Sequence, residues 1–157
     1  MDQTFFDKLE LKKLQKKYNK PIVIKIKSRE DGNYTNDLNY LHNILPKDLD
    51  YRILVDVEDD NKLIAESVAV IGHGSTMMLK PLQLGIPTAI IKNYGYTNQE
   101  NCLYKNCKAV VDLNYDKIIN TLSNPDYSKF ILETVEGGIT FNSTEYYLDY
   151  IKQIMSK

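Results

Sequence analysis

Five short apolar runs, separated by stretches with helical spacing, set the tightest limit on what this chain can fold into. The clearest is Ile22-Val23-Ile24-Lys25-Ile26, in which every residue but the lysine is β-branched. A near-continuous run of that length suits a parallel strand covered on both faces. Similar runs occupy 51–55, 68–71, 86–91 and 109–113. Between them the period changes. In 3–18 the residues Phe6, Leu9, Leu14 and Tyr18 fall near one stripe with lysines opposite, which predicts an amphipathic helix stopped by Asn19 and Pro21. Residues 28–35 are polar, include Asp31-Gly32 and read as a loop. Further helices are expected over 36–45, ending before Pro46, and over 61–67 behind the acidic residues Asp56, Glu58 and Asp59. Another covers 76–84, closed by Gly85, and the last three cover 116–122, 127–135 and 144–155. Strands that alternate with helices imply right-handed crossovers and a parallel sheet. The expected architecture is therefore α/β: a Rossmann-like three-layer domain, with a mostly parallel sheet of about five strands, spanning 1–157 as one unit.

Composition removes several function classes. The formal net charge of −1 argues against a chain built to hold nucleic acid, which needs clustered basic residues. The one dense basic run, 11–17, lies on the first helix, where it reads as a solvated face rather than an anion site. No apolar stretch approaches the roughly 20 residues that span a bilayer. Met1-Asp2-Gln3-Thr4 lacks the basic start of a signal peptide, so a cytoplasmic protein without a transmembrane segment is expected. Cys102 and Cys107 have no second Cys or His pair nearby, and they are expected to be reduced thiols rather than metal ligands. Sequons at Asn33 and Asn142 carry no meaning without a secretory signal.

The stretch richest in chemistry is Val68-Ala69-Val70-Ile71-Gly72-His73-Gly74-Ser75-Thr76. A strand runs into two glycines and two hydroxyls, and a helix begins. The glycines permit a sharp turn and a close ligand approach, and Ser75 or Thr76 can cap the helix. Free N–H groups at a helix start beyond the carboxyl end of a strand suit a phosphate. The same residues also suit a plain βα turn with a serine cap. His73 can donate to a diphosphate, act as acid or base near neutral pH, or simply fill the turn.

The run 72–91, GHGSTMMLKPLQLGIPTAII, resembles the strand–loop–helix–strand near the donor site of GT-B glycosyltransferases and their surface-polysaccharide relatives. Leu84-Gly85-Ile86-Pro87 matches the "LG-x-P" that closes this family block. Residues 21–30 resemble a family strand that often ends in His-Pro followed by a basic residue, 59–71 resemble the acidic turn, helix and strand before the donor loop, and Glu136-Gly137-Gly138 onward resembles the closing segment. The similarity runs in order over most of the chain, and the block from Gly72 to Pro87 is its specific part. It implies a donor-binding half that takes a nucleotide-sugar or nucleotide diphosphate on Gly72, His73, Gly74, Ser75 and Thr76. It implies glycoconjugate or surface-polysaccharide synthesis; separately, no cofactor and no metal are expected.

The chain also departs from the family. Lys80, followed by Pro81, stands where the helix usually carries Glu, and lysine offers no acceptor to a ribose diol. Pro81 is either tolerated early in the helix or kinks it. Lys27-Ser28 replaces His-Pro, although Lys27 and Arg29 can still meet phosphate. The resemblance starts at the family's first helix, without the central strand before it or the acceptor-binding half. The strands 22–26 and 68–71 would then face a gap of unpaired backbone groups, unless they close on each other or another chain supplies the strand. A domain of this kind is expected to be weakly active or inactive alone, and to work with an acceptor-domain partner or as a homo-oligomer.

Three other readings stay open beside this one. They are a nucleotide- or phosphate-binding subunit completed by a partner, a nucleotide-sugar epimerase-like fragment, and a response-regulator-like domain. The last lacks paired acids at its first strand. Tyr94 and Tyr96, around Gly95, follow a strand at the ligand edge and can stack on a base or sugar, or serve as ordinary surface tyrosines.

Overall fold

The computed structural model describes residues 3–26, 34–56, 59–92, 103–104 and 106–134. All five expected strands form: β1 (Ile22–Ile26), β2 (Tyr51–Val55), β3 (Val70–His73), β4 (Thr88–Ile91) and β5 (Val110–Val111). Every pairing is parallel, yet the strands make two sheets, β1-β2 and β3-β4-β5, rather than one of five strands. The helices are α1 (Gln3–Leu9), α2 (Leu11–Tyr18), α3 (Thr35–Ile44), α4 (Asp60–Ala65), α5 (Leu79–Gln83), α6 (Tyr115–Ser123) and α7 (Ser128–Thr134). None of the described helices is long and apolar enough to cross a membrane. The expected helix over 144–155 lies outside the described residues.

Helices pack on both faces of β3-β4-β5, and the core on one of these faces extends to β1-β2. On one face a single apolar cluster joins Phe6, Leu9, Leu11 and Leu14 to Leu41 of α3 and to Ile118 and Leu122 of α6. Ile22, Ile24 and Ile26 of β1 meet this cluster, as do Ile71, Ala89, Ile91 and Val111 of the other sheet. Their neighbours along the strands, Val70, Ile90 and Val110, point the other way, into a second cluster with Met78, Leu82 of α5 and Phe130 and Ile131 of α7. Alternation along β3, β4 and β5 thus feeds two cores, whereas β1 and β2 contribute to the first alone.

This placement orders the strands. The β1–β2 crossover carries α3 on the first face, and the β3–β4 crossover carries α5 on the opposite face. Right-handed crossovers on opposite faces run in opposite directions. β2 therefore lies outward of β1 on one side and β4 outward of β3 on the other, so β1 and β3 are the inner edges. Ile22 donates its N–H to Asp50 O at 3.0 Å, and Ile26 O accepts from Asp56 at 3.3 Å. The backbone groups of Val23 and Lys25 accordingly turn away from β2, toward the inner edge. Val70 N–H goes to Pro87 O, so Ile71 turns away from β4 in the same manner. Among the described residues no strand fills the space between these edges.

The first helix is also interrupted. Glu10 adopts a left-handed conformation at φ 49°, ψ 54°, and splits the expected single helix into α1 and α2. The break lets both Leu9 and Leu11 bury. A non-glycine residue there costs about 1–2 kcal/mol. Glu10→Gly is therefore expected to raise stability by about 0.5–1 kcal/mol, after allowing for the greater freedom of glycine in the unfolded chain. The exposed Glu10–Lys13 ion pair lost with it is worth little. A higher urea midpoint is the expected reading, and a lower one would refute the strain argument. Asn19, at φ 49°, closes α2 as expected from its position.

At the centre, β4 buries all four residues. β5 is too short to reach Thr88, whose backbone has no strand partner on that side. The Tyr127 hydroxyl takes its place: it accepts the Thr88 N–H at 2.7 Å and donates to the Thr88 carbonyl at 3.2 Å. Removal from water pushes the Tyr127 hydroxyl above the usual tyrosine range, so it stays protonated and able to donate.

Candidate functional site

The helical layers change sides between β1 and β3, which is where an open α/β sheet opens a crevice at the carboxyl ends of its strands. The turn after β3 stands at that place. Gly72, His73, Gly74, Ser75 and Thr76 are thus brought together at one strand end. Ser75 N–H donates to His73 O at 2.7 Å, which folds the turn tightly. The Ser75 hydroxyl accepts the Met77 N–H at 3.4 Å, so serine rather than Thr76 provides the cap. From behind, buried Tyr104 donates its hydroxyl to Ser75 O at 2.6 Å while its ring stacks with Phe130. The cap and Tyr104 together hold the turn, leaving the Ser75 and Thr76 side chains exposed.

One expectation about this segment needs correction. The helix over 76–84 is a single 3-10 turn, Thr76–Met78, followed by the five-residue α5. So short an element gathers a smaller dipole than the expected helix. Gly72 belongs to β3, and a Cβ there would sit 2.8 Å from Met78 Sδ. Its glycine makes room for a buried methionine. Pro81 does not kink α5: it falls in the first turn, where its missing N–H costs nothing. Gly85, at φ 68°, then ends α5 with Gly85 N–H to Leu82 O and Ile86 N–H to Pro81 O, the paired bonds of a Schellman motif.

His73 ends β3 with its ring 5.1 Å from that of Phe5, on α1. Partial burial pushes its pKa below the ordinary histidine range, so the imidazole is neutral at pH 7. It can exchange one hydrogen bond each way but supplies no positive charge. Lys80 lies half-buried in the first turn of α5. Lys27, Arg29, Tyr94 and Tyr96 lie outside the described residues. Asp59 caps α4, accepting the Lys62 N–H at 3.0 Å, as expected of a helix-start acid. Cys107 is a buried free thiol, pushed above the usual range by desolvation and hence a poor nucleophile at neutral pH.

Sequence reasoning missed one pair of side chains at this end of the sheets. Lys25 Nζ lies 2.6 Å from both carboxylate oxygens of Asp60 and 3.6 Å from Met77 Sδ. Oδ2 accepts a directed hydrogen bond; Oδ1, shielded from solvent, is held by proximity of charge without one. A lone lysine inside an isoleucine-valine run was the available signal. Two shallow clefts of about 310 and 330 Å³ lie elsewhere, the first beside Phe6, Glu10 and Pro46 and the second between Gln15 and Asp50. Neither is lined by the turn. Compared with family models, curated proteins and solved structures, the chain finds no match.

Proposed function

We propose that this chain is a nucleotide-diphosphate-binding domain of the kind that forms the donor half of a GT-B glycosyltransferase. It takes a nucleotide sugar or nucleotide diphosphate at the turn 72–76, serves glycoconjugate or surface-polysaccharide synthesis, and transfers little sugar by itself. The observation that carries this reading is the change of helical face between β1 and β3, with a capped, hydroxyl-bearing turn at the carboxyl end of β3. Crevices of that origin bind ligands in open α/β sheets. The exposed Ser75 and Thr76 hydroxyls supply donors suited to phosphate oxygens.

A screen of UDP, GDP, CDP and their sugar conjugates by thermal shift and calorimetry tests it. One nucleotide is expected to bind saturably. Ser75→Asp is the diagnostic variant, because aspartate is as good a cap as serine and preserves the turn while placing a negative charge against the diphosphate. Its affinity is expected to fall by about tenfold or more with the melting temperature unchanged. A folded chain that binds none of these nucleotides would overturn the reading.

Among the described residues no strand pairs with the inner edges of β1 and β3, which favours a second reading, a non-catalytic nucleotide-binding subunit completed by a partner chain. Robust sugar transfer by the isolated chain would exclude it.

A further inference from the structure

If the turn 72–76 holds a diphosphate, its positive charge must come from somewhere other than neutral His73. Lys25 stands on the face of β1 opposite the three isoleucines that meet the first core. Its ammonium reaches Asp60 at the start of α4 and Met77, which directly follows the two hydroxyl residues of the turn. The carboxyl ends of β1 and β3 and the start of the helix that follows β2 are therefore drawn together by one side chain. Lys25 is 21% exposed and Asp60 35%.

We propose that Lys25 is the cation that contacts the bound diphosphate, and that Asp60 occupies its ammonium in the free protein and yields it when the anion enters. This assignment rests on the nucleotide reading above. An ammonium has three donors; here Asp60 Oδ2 takes one in a directed bond, and a thioether, a weak acceptor, faces another. A phosphate oxygen is a far better partner than sulfur and forms a charge-assisted bond. Asp60 can yield the ammonium because its side chain is 35% exposed, so water can enter as the lysine leaves, and because it sits in the first turn of α4, where a negative charge is favoured. In the free protein the carboxylate keeps a half-buried lysine from standing uncompensated. It also competes with any incoming anion.

Calorimetric titration of the full chain with inorganic pyrophosphate and with UDP, at low and moderate salt, tests the exchange. Lys25→Met, which keeps the apolar stem, is expected to weaken both ligands by about tenfold or more, as expected for loss of a charge-assisted contact. Asp60→Asn is expected to tighten both by about three- to tenfold at low salt, because the competitor is gone and the ammonium remains. That gain cannot come from a merely structural role, since loss of a structural ion pair would weaken binding or leave it alone. Should Lys25→Met fail to fold, the Asp60→Asn result decides. Unchanged or weaker binding in Asp60→Asn overturns the exchange. UDP binding that persists in folded Lys25→Met overturns the role of Lys25 and leaves the nucleotide reading standing. Pyrophosphate binding that depends on Lys25, without binding of any nucleotide, supports the anion contact and overturns the nucleotide reading. Absence of binding in every variant overturns both.

Discussion

Tyr127→Phe is expected to destabilise the protein by about 2–4 kcal/mol, although it removes one oxygen and leaves the ring in place. Thr88 is fully buried, and its N–H and C=O both end on that oxygen. Without it, two backbone groups have no partner and no water, and each such group costs about 1–3 kcal/mol. Chemical denaturation measures the loss as a lower midpoint with an unchanged slope. Tyr104→Phe is the internal control. Its hydroxyl donates to the carbonyl of Ser75, which lies beside solvent, so the expected loss is about 1 kcal/mol or less. Equal losses in the two variants would show that Tyr127 does not act as a substitute strand partner.

Ile90→Ala should cost a similar or larger amount, about 3–4 kcal/mol, by a different route. Ile90 is fully buried in the central strand of its sheet and fills the second core beside Met78, Leu82 and Tyr104. Truncation removes three carbons from the interior and leaves a cavity whose lining cannot fully close. The same change at Val23, which is 42% exposed on the inner edge of β1, is expected to cost less than about 0.5 kcal/mol. Thermal and urea unfolding of the pair would test this ranking. A small effect at Ile90 would mean that the second core is loosely packed.

The sequence carried the elements well because each strand is its own run of β-branched or apolar residues, and most helices are bounded by an Asn, Pro or Gly. Asn19 and Gly85 end helices through left-handed backbone that those residues tolerate, so composition alone exposes them. Glu10 takes the same conformation with no residue preference to announce it, and the apolar stripe runs through the break. The split of the strands into two sheets has no signal in the periodicity, since alternation states which faces are covered but not which edges pair; only the family resemblance, which leaves a gap between 22–26 and 68–71, pointed to it. Gly72 shows the same limit, since a glycine next to a turn looks alike whether it admits a ligand or a methionine. At the candidate site the turn was legible as a chemical motif. Lys25 and Asp60 were not, because 35 residues separate them and only the fold brings them within reach.

The two ladders share no strand, and no row of backbone hydrogen bonds ties one to the other, among the described residues. Among the described residues, side-chain packing in the first core joins them, and Lys25 of β1 reaches Asp60 of α4 and Met77 beyond β3. Packing of this kind yields without breaking any backbone bond, so each half can open with its own free energy rather than in one concerted step. The β1–β2 half, with only two strands and partly exposed faces, is the softer one, and β4, buried along its whole length, anchors the stiffer. The candidate site thus straddles a seam between regions of unequal stability, and a ligand bridging Lys25 and the turn would act as a clasp across it.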